Sequence, residues 1–211
     1  MASCALFRKA YGEDTVASRT AASLFSPIPL SSINILYAST SGNTEYVVDT
    51  LTDLLKKSAP TVDVERQLVE SAKPEDLLRG DLVILASGTW NFGGVEGQLN
   101  ERMHRYLFER ARGIDLTGKQ IAFISLGDDR YYYTTRCTEK FMRFLKESHA
   151  KMALIPLIIV NEPYGQEERV MRWGEKLIRL LEKNTPPISS FSAQGHGETS
   201  IKESTLSVDG G

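Results

Sequence analysis

The sequence predicts a doubly wound α/β fold, in which a five-stranded parallel sheet is covered by helices on both faces. Apolar strand-like runs alternate with amphipathic helical patterns between residues 33 and 184, and this alternation is typical of parallel sheets built from βαβ units. The chain has 211 residues, of which 41% are hydrophobic and 25% charged. This length and composition favour one main globular domain.

Each predicted strand has a pattern that indicates its place in the sheet. The five strands are 33–38, 62–68, 81–87, 120–126 and 154–160. Residues 62–68 alternate between polar and apolar side chains, so this strand is expected at an exposed edge. Residues 81–87 and 120–126 are nearly all apolar, which predicts central positions. The last strand contains Pro156, which lacks an N–H and therefore indicates the other edge or a bulge.

Helical patterns fill the gaps between the strands. They cover 44–57, a short turn at 74–78, 95–112, 135–150 and 167–183. Right-handed crossovers through these helices give a doubly wound sheet, whose ligand crevice lies beyond the carboxyl ends of the strands, where the winding reverses. Three loops of the chain leave strand carboxyl ends at that crevice, and they carry the candidate site.

The loop after the first strand has the composition of a phosphate site. Its residues are Ser39, Thr40, Ser41, Gly42, Asn43 and Thr44. They precede a helix, whose first N–H groups are unpaired and attract anions. The loop lacks a Lys or Arg and matches neither a nucleotide-triphosphate loop nor a three-glycine dinucleotide motif, which favours the single phosphate of a mononucleotide cofactor. The alternative is an ordinary turn in which Thr40 or Ser41 caps the helix.

The other two loops bring aromatic side chains to the same edge of the sheet. The candidate residues are Thr89, Trp90 and Asn91 after the third strand, and Gly127, Asp128, Tyr131 and Tyr133 after the fourth. Aromatic rings at such a rim can hold a flat ring between them, since offset stacking is favourable. The alternatives are that Trp90 is a half-buried packing residue and that the tyrosine run covers the sheet edge.

Together, these three ordered motifs resemble those of the flavodoxin family, over about residues 33–183. The resemblance implies a flavodoxin-like fold of the short-chain type with a non-covalently bound FMN. Its phosphate would lie in the 39–44 loop, with Trp90 on the inner face of the flavin and Tyr131 on the outer face. Backbone groups of the 127–133 loop would meet the pyrimidine edge of the flavin, and the carbonyl of Asn91 would lie beside its N5.

Two positions depart from the family pattern. Asp129 and Arg130 stand where the second flavin loop commonly has small hydroxyl residues, and Asn91 stands where many relatives have glycine. Rim contacts of the cofactor in this chain are therefore expected to differ from those of its relatives.

The resemblance implies a low-potential electron carrier that passes electrons on FMN from a reductase donor to an oxidase or reductase acceptor, with no catalytic residue and no metal. The alternative is an FMN-dependent quinone or NAD(P)H oxidoreductase on the same fold, whose substrate ring Tyr131 would block. A cofactor-free receiver or scaffold domain is a third hypothesis. A phosphoacceptor domain needs an Asp at the end of the first strand, where Ala38 and Ser39 stand.

Composition excludes several other classes. The formal net charge is −2, which gives nucleic-acid binding no support. The two cysteines, Cys4 and Cys137, exclude a disulfide framework and favour a reducing compartment, and no apolar run has the length of a membrane span. We expect a cytoplasmic monomer, with residues 1–32 as a disordered leader or organelle transit peptide and 185–211 as a disordered tail.

Overall fold

The computed structural model describes residues 31–183 of the chain. The predicted C-terminal tail and all but the last two residues of the predicted leader lie outside this range. Those two residues join the domain: Ser32 begins the first strand, and the backbone N–H groups of Ser31 and Ser32 donate to Asp81 Oδ2 at 2.8 and 2.9 Å.

A parallel sheet forms the centre of the domain. Its strands are β1 (Ser32–Tyr37), β2 (Asp63–Leu68), β3 (Leu82–Phe92), β4 (Val95–Leu99), β5 (Gln120–Gly127), β6 (Lys151–Met152) and β7 (Leu157–Val160). The order is β2-β1-β3-β5. β6 and β7 both pair with the outer edge of β5, one after the other along its length, and β4 pairs with β3 in antiparallel orientation. The predicted doubly wound α/β class is confirmed, with β2 at one edge and the apolar β3 and β5 inside the sheet.

Helices cover both faces of this sheet. They are α1 (Asn43–Ser58), a 3₁₀ turn (Pro74–Leu78), α2 (Glu101–Arg105), a π-helical turn (Tyr106–Arg110), α3 (Cys137–Glu147) and α4 (Glu167–Lys183). One buried cluster joins the sheet to α1 and α4, and a second joins its other face to α2, the π-helical turn and α3. No helix within residues 31–183 is both long and apolar enough to cross a bilayer.

The predicted helix at 95–112 is wrong in its first part, because a hairpin occupies residues 82–99. β3 runs on to Phe92, through the segment predicted as a loop, and pairs with Val95–Leu99. Gly93 and Gly94 between the strands both have positive φ, 63° and 74°. This is the conformation of a tight two-residue hairpin turn, which glycine adopts without steric cost.

The predicted fifth strand, 154–160, begins only at Leu157, and a separate two-residue strand precedes its predicted bounds. The chain pairs with β5 at Lys151–Met152, where the Ala153 N–H continues the contact by donating to the Ile121 carbonyl at 2.8 Å, and again at Leu157–Val160. Residues 154–156 separate the two segments. Pro156 lies directly before the second segment. It has no backbone N–H to donate to β5, so its place at a break in an edge strand is the one expected for proline.

Candidate functional site

A cleft of about 830 Å³ lies at the carboxyl ends of β1, β3 and β5. Each of the three loops identified in the sequence contributes to its wall. Of the predicted site residues, only Ser39 and Gly42 do not line it. Those that do are Thr40, Ser41, Asn43, Thr44, Thr89, Trp90, Asn91, Gly127, Asp128, Tyr131 and Tyr133. The structure thus brings together side chains that lie up to 93 positions apart, from Thr40 to Tyr133.

The 39–44 loop presents the positive end of α1 to this cleft. Gly42 is the N-cap, in a left-handed conformation with φ 90°, so the alternative in which Thr40 or Ser41 is the cap is wrong. The Glu45 N–H in the first turn donates to Ser39 Oγ at 3.4 Å. Within residues 31–183, no backbone N–H of residues 40 to 44 donates a hydrogen bond. These N–H groups and the helix dipole are available to an anion.

A cation reaches this loop from outside it. Arg102 of α2 donates from Nη1 to the Ser39 carbonyl at 3.2 Å and forms an ion pair with Glu70 at 2.6 Å. The guanidinium therefore supports the backbone of the loop, while its charge is balanced by a carboxylate. The loop keeps the neutral donor set that its sequence predicts.

The hairpin holds Trp90 at the cleft wall. Trp90 pairs with Gln98 in the β3–β4 register, and its side chain is 39% exposed. Its indole lies over Gly88, where an added Cβ would meet Trp90 Nε1 at 3.0 Å. The hairpin also brings Glu96 and Gly97 to the cleft, residues that sequence reasoning missed because it assigned them to a helix.

An ion pair organises the loop that follows β5. The Asp128 carboxylate accepts hydrogen bonds from Nε, Nη2 and the backbone N–H of Arg130, with Nε at 2.9 and 3.0 Å from its two oxygens. These bonds lower the pKa of Asp128 to about 2. The negative charge of Asp128 at the rim is therefore paired with the Arg130 guanidinium, which the sequence did not indicate.

Asn161 ties the same loop to the end of β7. Its backbone N–H donates to the Gly127 carbonyl at 2.8 Å. Its side chain makes a reciprocal pair with Asp129, accepting from the Asp129 N–H at 3.0 Å and donating to Asp129 Oδ2 at 2.9 Å. Asn161 has φ 67°, a left-handed conformation that asparagine tolerates better than most residues.

Aromatic side chains surround the mouth of the cleft. Tyr131 is 54% exposed, and the Arg136 guanidinium lies 4.3 Å from the centroid of the Tyr133 ring. Tyr164, which also lines the cleft, packs against Tyr46 with ring centroids 4.5 Å apart. The rim thus presents several rings that a planar ligand could contact.

The cleft residues after β7 were missed, although a signal for them exists. Asn161, Glu162 and Tyr164 line the cleft and directly follow the carboxyl end of a strand. The rule that identified the other three loops applies to this one as well. Glu162 also accepts a hydrogen bond from Asn43 Nδ2 at 3.0 Å, which joins the fourth loop to the first.

We expect the Asp128 carboxyl to titrate near pH 2. Because its pKa is depressed in the folded state, the ion pair stabilises the fold above the ordinary Asp pKa of about 4 and is lost as the pH falls toward 2. In the Arg130→Gln variant, this pKa should rise toward the ordinary value. Carboxyl ¹³C NMR titration measures both, and an unchanged Asp128 pKa in Arg130→Gln would contradict the assignment.

The fold and the cleft define a doubly wound α/β protein. At the carboxyl ends of its strands, where the winding reverses, it has a loop suited to an anion and a rim of aromatic side chains. The family model for flavodoxin matches residues 35–173. The chain belongs to the flavodoxin family. Membership supports, in general terms, an FMN-binding electron-transfer protein.

Individual relatives agree with this assignment. The chain is 27% identical over 141 residues to a flavodoxin of Maridesulfovibrio salexigens, covering 66% of this chain and 92% of the relative. It is 28% identical over 140 residues to a probable flavodoxin 2 of Bacillus subtilis, covering 66% and 88%. The crystal structure of oxidised flavodoxin 2 from Bacillus cereus is 30% identical, with a TM-score of 0.63 over 72% of this chain and 99% of that structure.

Proposed function

We propose that this chain is a low-potential electron carrier that binds FMN in the cleft formed by the 39–44 loop, the hairpin and the 127–134 loop. One observation carries the proposal: unpaired backbone N–H groups and exposed aromatic rings converge on a single cleft. Its volume of about 830 Å³ lies in the range of small-molecule cofactor sites.

The phosphate end of FMN fits the 39–44 loop. The N–H groups of residues 40–44 and the hydroxyls of Thr40, Ser41 and Thr44 supply donors, and the α1 dipole favours negative charge. None of these groups carries a formal charge, so the loop would hold the phosphate by hydrogen bonds. This donor set suits one terminal phosphate.

The ring end of FMN would lie in the part of the cleft that Trp90 and Tyr131 line. FMN supplies reversible uptake and release of electrons when bound. The indole of Trp90 and the phenol ring of Tyr131 would stack on the ring and exclude water from it. Backbone groups of the 127–134 loop, fixed by Asn161, would meet its polar edge.

A carrier of this kind acts by contact with other redox proteins. We propose a reductase as electron donor and an oxidase or reductase as acceptor, docking where the ring edge is open to solvent. The exposed side chains at this rim include Tyr131 and Arg130, whose side chain is 81% exposed. A charged and aromatic rim suits transient protein contacts.

Purification and reconstitution test the proposal. We expect the purified protein to be yellow, to release FMN on acid treatment, and to regain one FMN per chain when the apoprotein is titrated. The reconstituted protein should accept electrons from a flavoprotein reductase and pass them to a one-electron acceptor. A folded apoprotein that binds no added FMN would overturn the proposal.

Trp90→Ala is expected to weaken FMN binding by about 10-fold or more, because loss of a stacked indole removes over about 1.4 kcal/mol of contact. Tyr132→Ala is the matched control. Tyr132 is 88% exposed and does not line the cleft. It contacts the cleft residue Tyr133 only edge to face, with centroids 4.8 Å apart, so its removal should change the FMN dissociation constant by less than about 2-fold. Fluorescence quenching of FMN measures both variants. Equal affinities for the two would count against the stacking role of Trp90.

The rate of NAD(P)H oxidation in the presence of a quinone, measured for the wild type and for Tyr131→Ala, distinguishes an electron carrier from an FMN-dependent quinone or NAD(P)H oxidoreductase. The wild-type protein should consume no NAD(P)H in the presence of a quinone, because the Tyr131 ring would cover the face of the flavin that a nicotinamide or quinone ring needs. Steady NAD(P)H oxidation by the wild type, measured at 340 nm, would favour the enzyme instead.

A further inference from the structure

Asn100 lies behind the 39–44 loop and is almost completely buried, with 3% of its surface exposed. It follows β4, is the N-cap of α2, and does not line the cleft. All of its polar groups are bonded. Its backbone N–H donates to Ser87 Oγ at 3.1 Å and to the Gly88 carbonyl at 3.2 Å, and its carbonyl accepts from the His104 N–H at 2.9 Å.

The orientation of the Asn100 amide follows from its partners. The backbone N–H of Arg102 lies 3.0 Å from one end of the amide, and an N–H can only donate, so that end is Oδ1. The other end, Nδ2, donates to Thr40 Oγ1 at 2.8 Å. A buried amide is therefore aimed, in a single orientation, at a hydroxyl of the anion-binding loop.

This bond decides which way the Thr40 hydroxyl points. A hydroxyl has one proton and two acceptor lone pairs, and Asn100 occupies a lone pair. Within residues 31–183, the Thr40 hydroxyl donates to no protein acceptor, and Thr40 lines the cleft. Its proton is therefore free to be donated into the cleft.

We propose that Asn100 is a positioning residue for the cofactor phosphate: it holds Thr40 so that its hydroxyl donates to the phosphate, and it joins this loop to the hairpin that carries Trp90. The inference rests on the proposed FMN function and adds a residue outside the cleft to its machinery. The bonds of Asn100 to the hairpin are made by its backbone N–H and survive substitution, whereas its side chain meets the cleft only through Thr40. The effect of changing the side chain should therefore depend on the phosphate and not on the ring.

The test compares FMN with riboflavin, which has the ring but lacks the phosphate. Dissociation constants are measured by fluorescence quenching for the wild type and for Asn100→Ser, Thr40→Ala and the double variant. We expect Asn100→Ser and Thr40→Ala each to weaken FMN binding by about 10-fold, because Thr40→Ala removes a hydrogen bond to the charged phosphate and Asn100→Ser removes the contact that orients the hydroxyl for that bond. Riboflavin affinity should change by less than about 2-fold. The double variant should bind FMN as Thr40→Ala does, because neighbours acting through one contact are not additive.

Asn100→Asp is the second variant, which keeps the size of the side chain and its acceptor for the Arg102 N–H. A carboxylate facing Thr40 would accept a hydrogen bond from its hydroxyl and so turn the O–H away from the cleft, and FMN binding should fall further than in Asn100→Ser. Equal losses of FMN and riboflavin affinity in the Asn100 variants, or additive losses in the double variant, would overturn the positioning role. If the folded wild type binds neither ligand, the proposed function itself fails instead.

Discussion

Replacing Phe123 with alanine is expected to lower the free energy of unfolding by about 3–5 kcal/mol. Phe123 lies on β5 with no exposed surface, and its ring stacks on Phe141 of α3, with centroids 4.9 Å apart and planes 5° apart. Phe141 is also completely buried. Truncation therefore removes the contacts of a whole ring and leaves a cavity that the sheet and the helix cannot close.

Phe123→Leu is the matched control for this prediction. Leucine retains most of the apolar volume, so its cost should stay below about 1.5 kcal/mol. Urea unfolding of the apoprotein, followed by far-ultraviolet circular dichroism, gives the free energy of unfolding of both variants. The two are compared at the same dependence of that free energy on urea concentration. If the alanine and leucine variants lost the same stability, the stack between β5 and α3 would not be a main contributor to the core.

Local patterns explain why the sheet could be predicted. β3 and β5 are apolar on both faces because helices cover both, and such runs have no other stable environment in a water-exposed domain. The positions of the three predicted loops then follow from a general rule, that the carboxyl ends of parallel strands meet at one edge. These inferences need only neighbouring residues and the topology.

Other features depend on contacts that no local pattern reports. Val95–Leu99 forms a strand because it pairs with the end of β3, and the Gly93–Gly94 turn that makes this pairing was the unused signal. Asn100 and Asn161 reach the site through hydrogen bonds to residues 60 and 32 positions away. The Asp128–Arg130 pair is local, but either partner could have turned to solvent. The supporting contacts of the site are therefore tertiary in origin.

Gly127→Ala is expected to destabilise the domain by about 3 kcal/mol and to weaken FMN binding, because this glycine lets the 127–134 loop cross the end of β5. A Cβ at position 127 would lie 2.5 Å from the Thr135 backbone nitrogen and 2.9 Å from Thr135 Cγ2. Thr135 has φ 59°, a left-handed conformation that costs free energy in threonine. Its backbone has little freedom to withdraw, so the loop itself must move, at the cost typical of overpacking.

Gly174→Ala is the control, since it also adds a methyl group at a crowded position. Its Cβ would meet the terminal methyl groups of Leu54 and, at 3.0 Å, of Leu51. Both are ends of side chains and not backbone, so they can shift, and alanine favours the α4 helix by about 1 kcal/mol over glycine. We therefore expect a small change in stability and unaltered FMN affinity for Gly174→Ala, against losses in both for Gly127→Ala. Urea unfolding of the apoproteins and FMN titrations give the two quantities. If Gly127→Ala lost stability but bound FMN normally, the crossing of the loop over β5 would not contribute to the cofactor site.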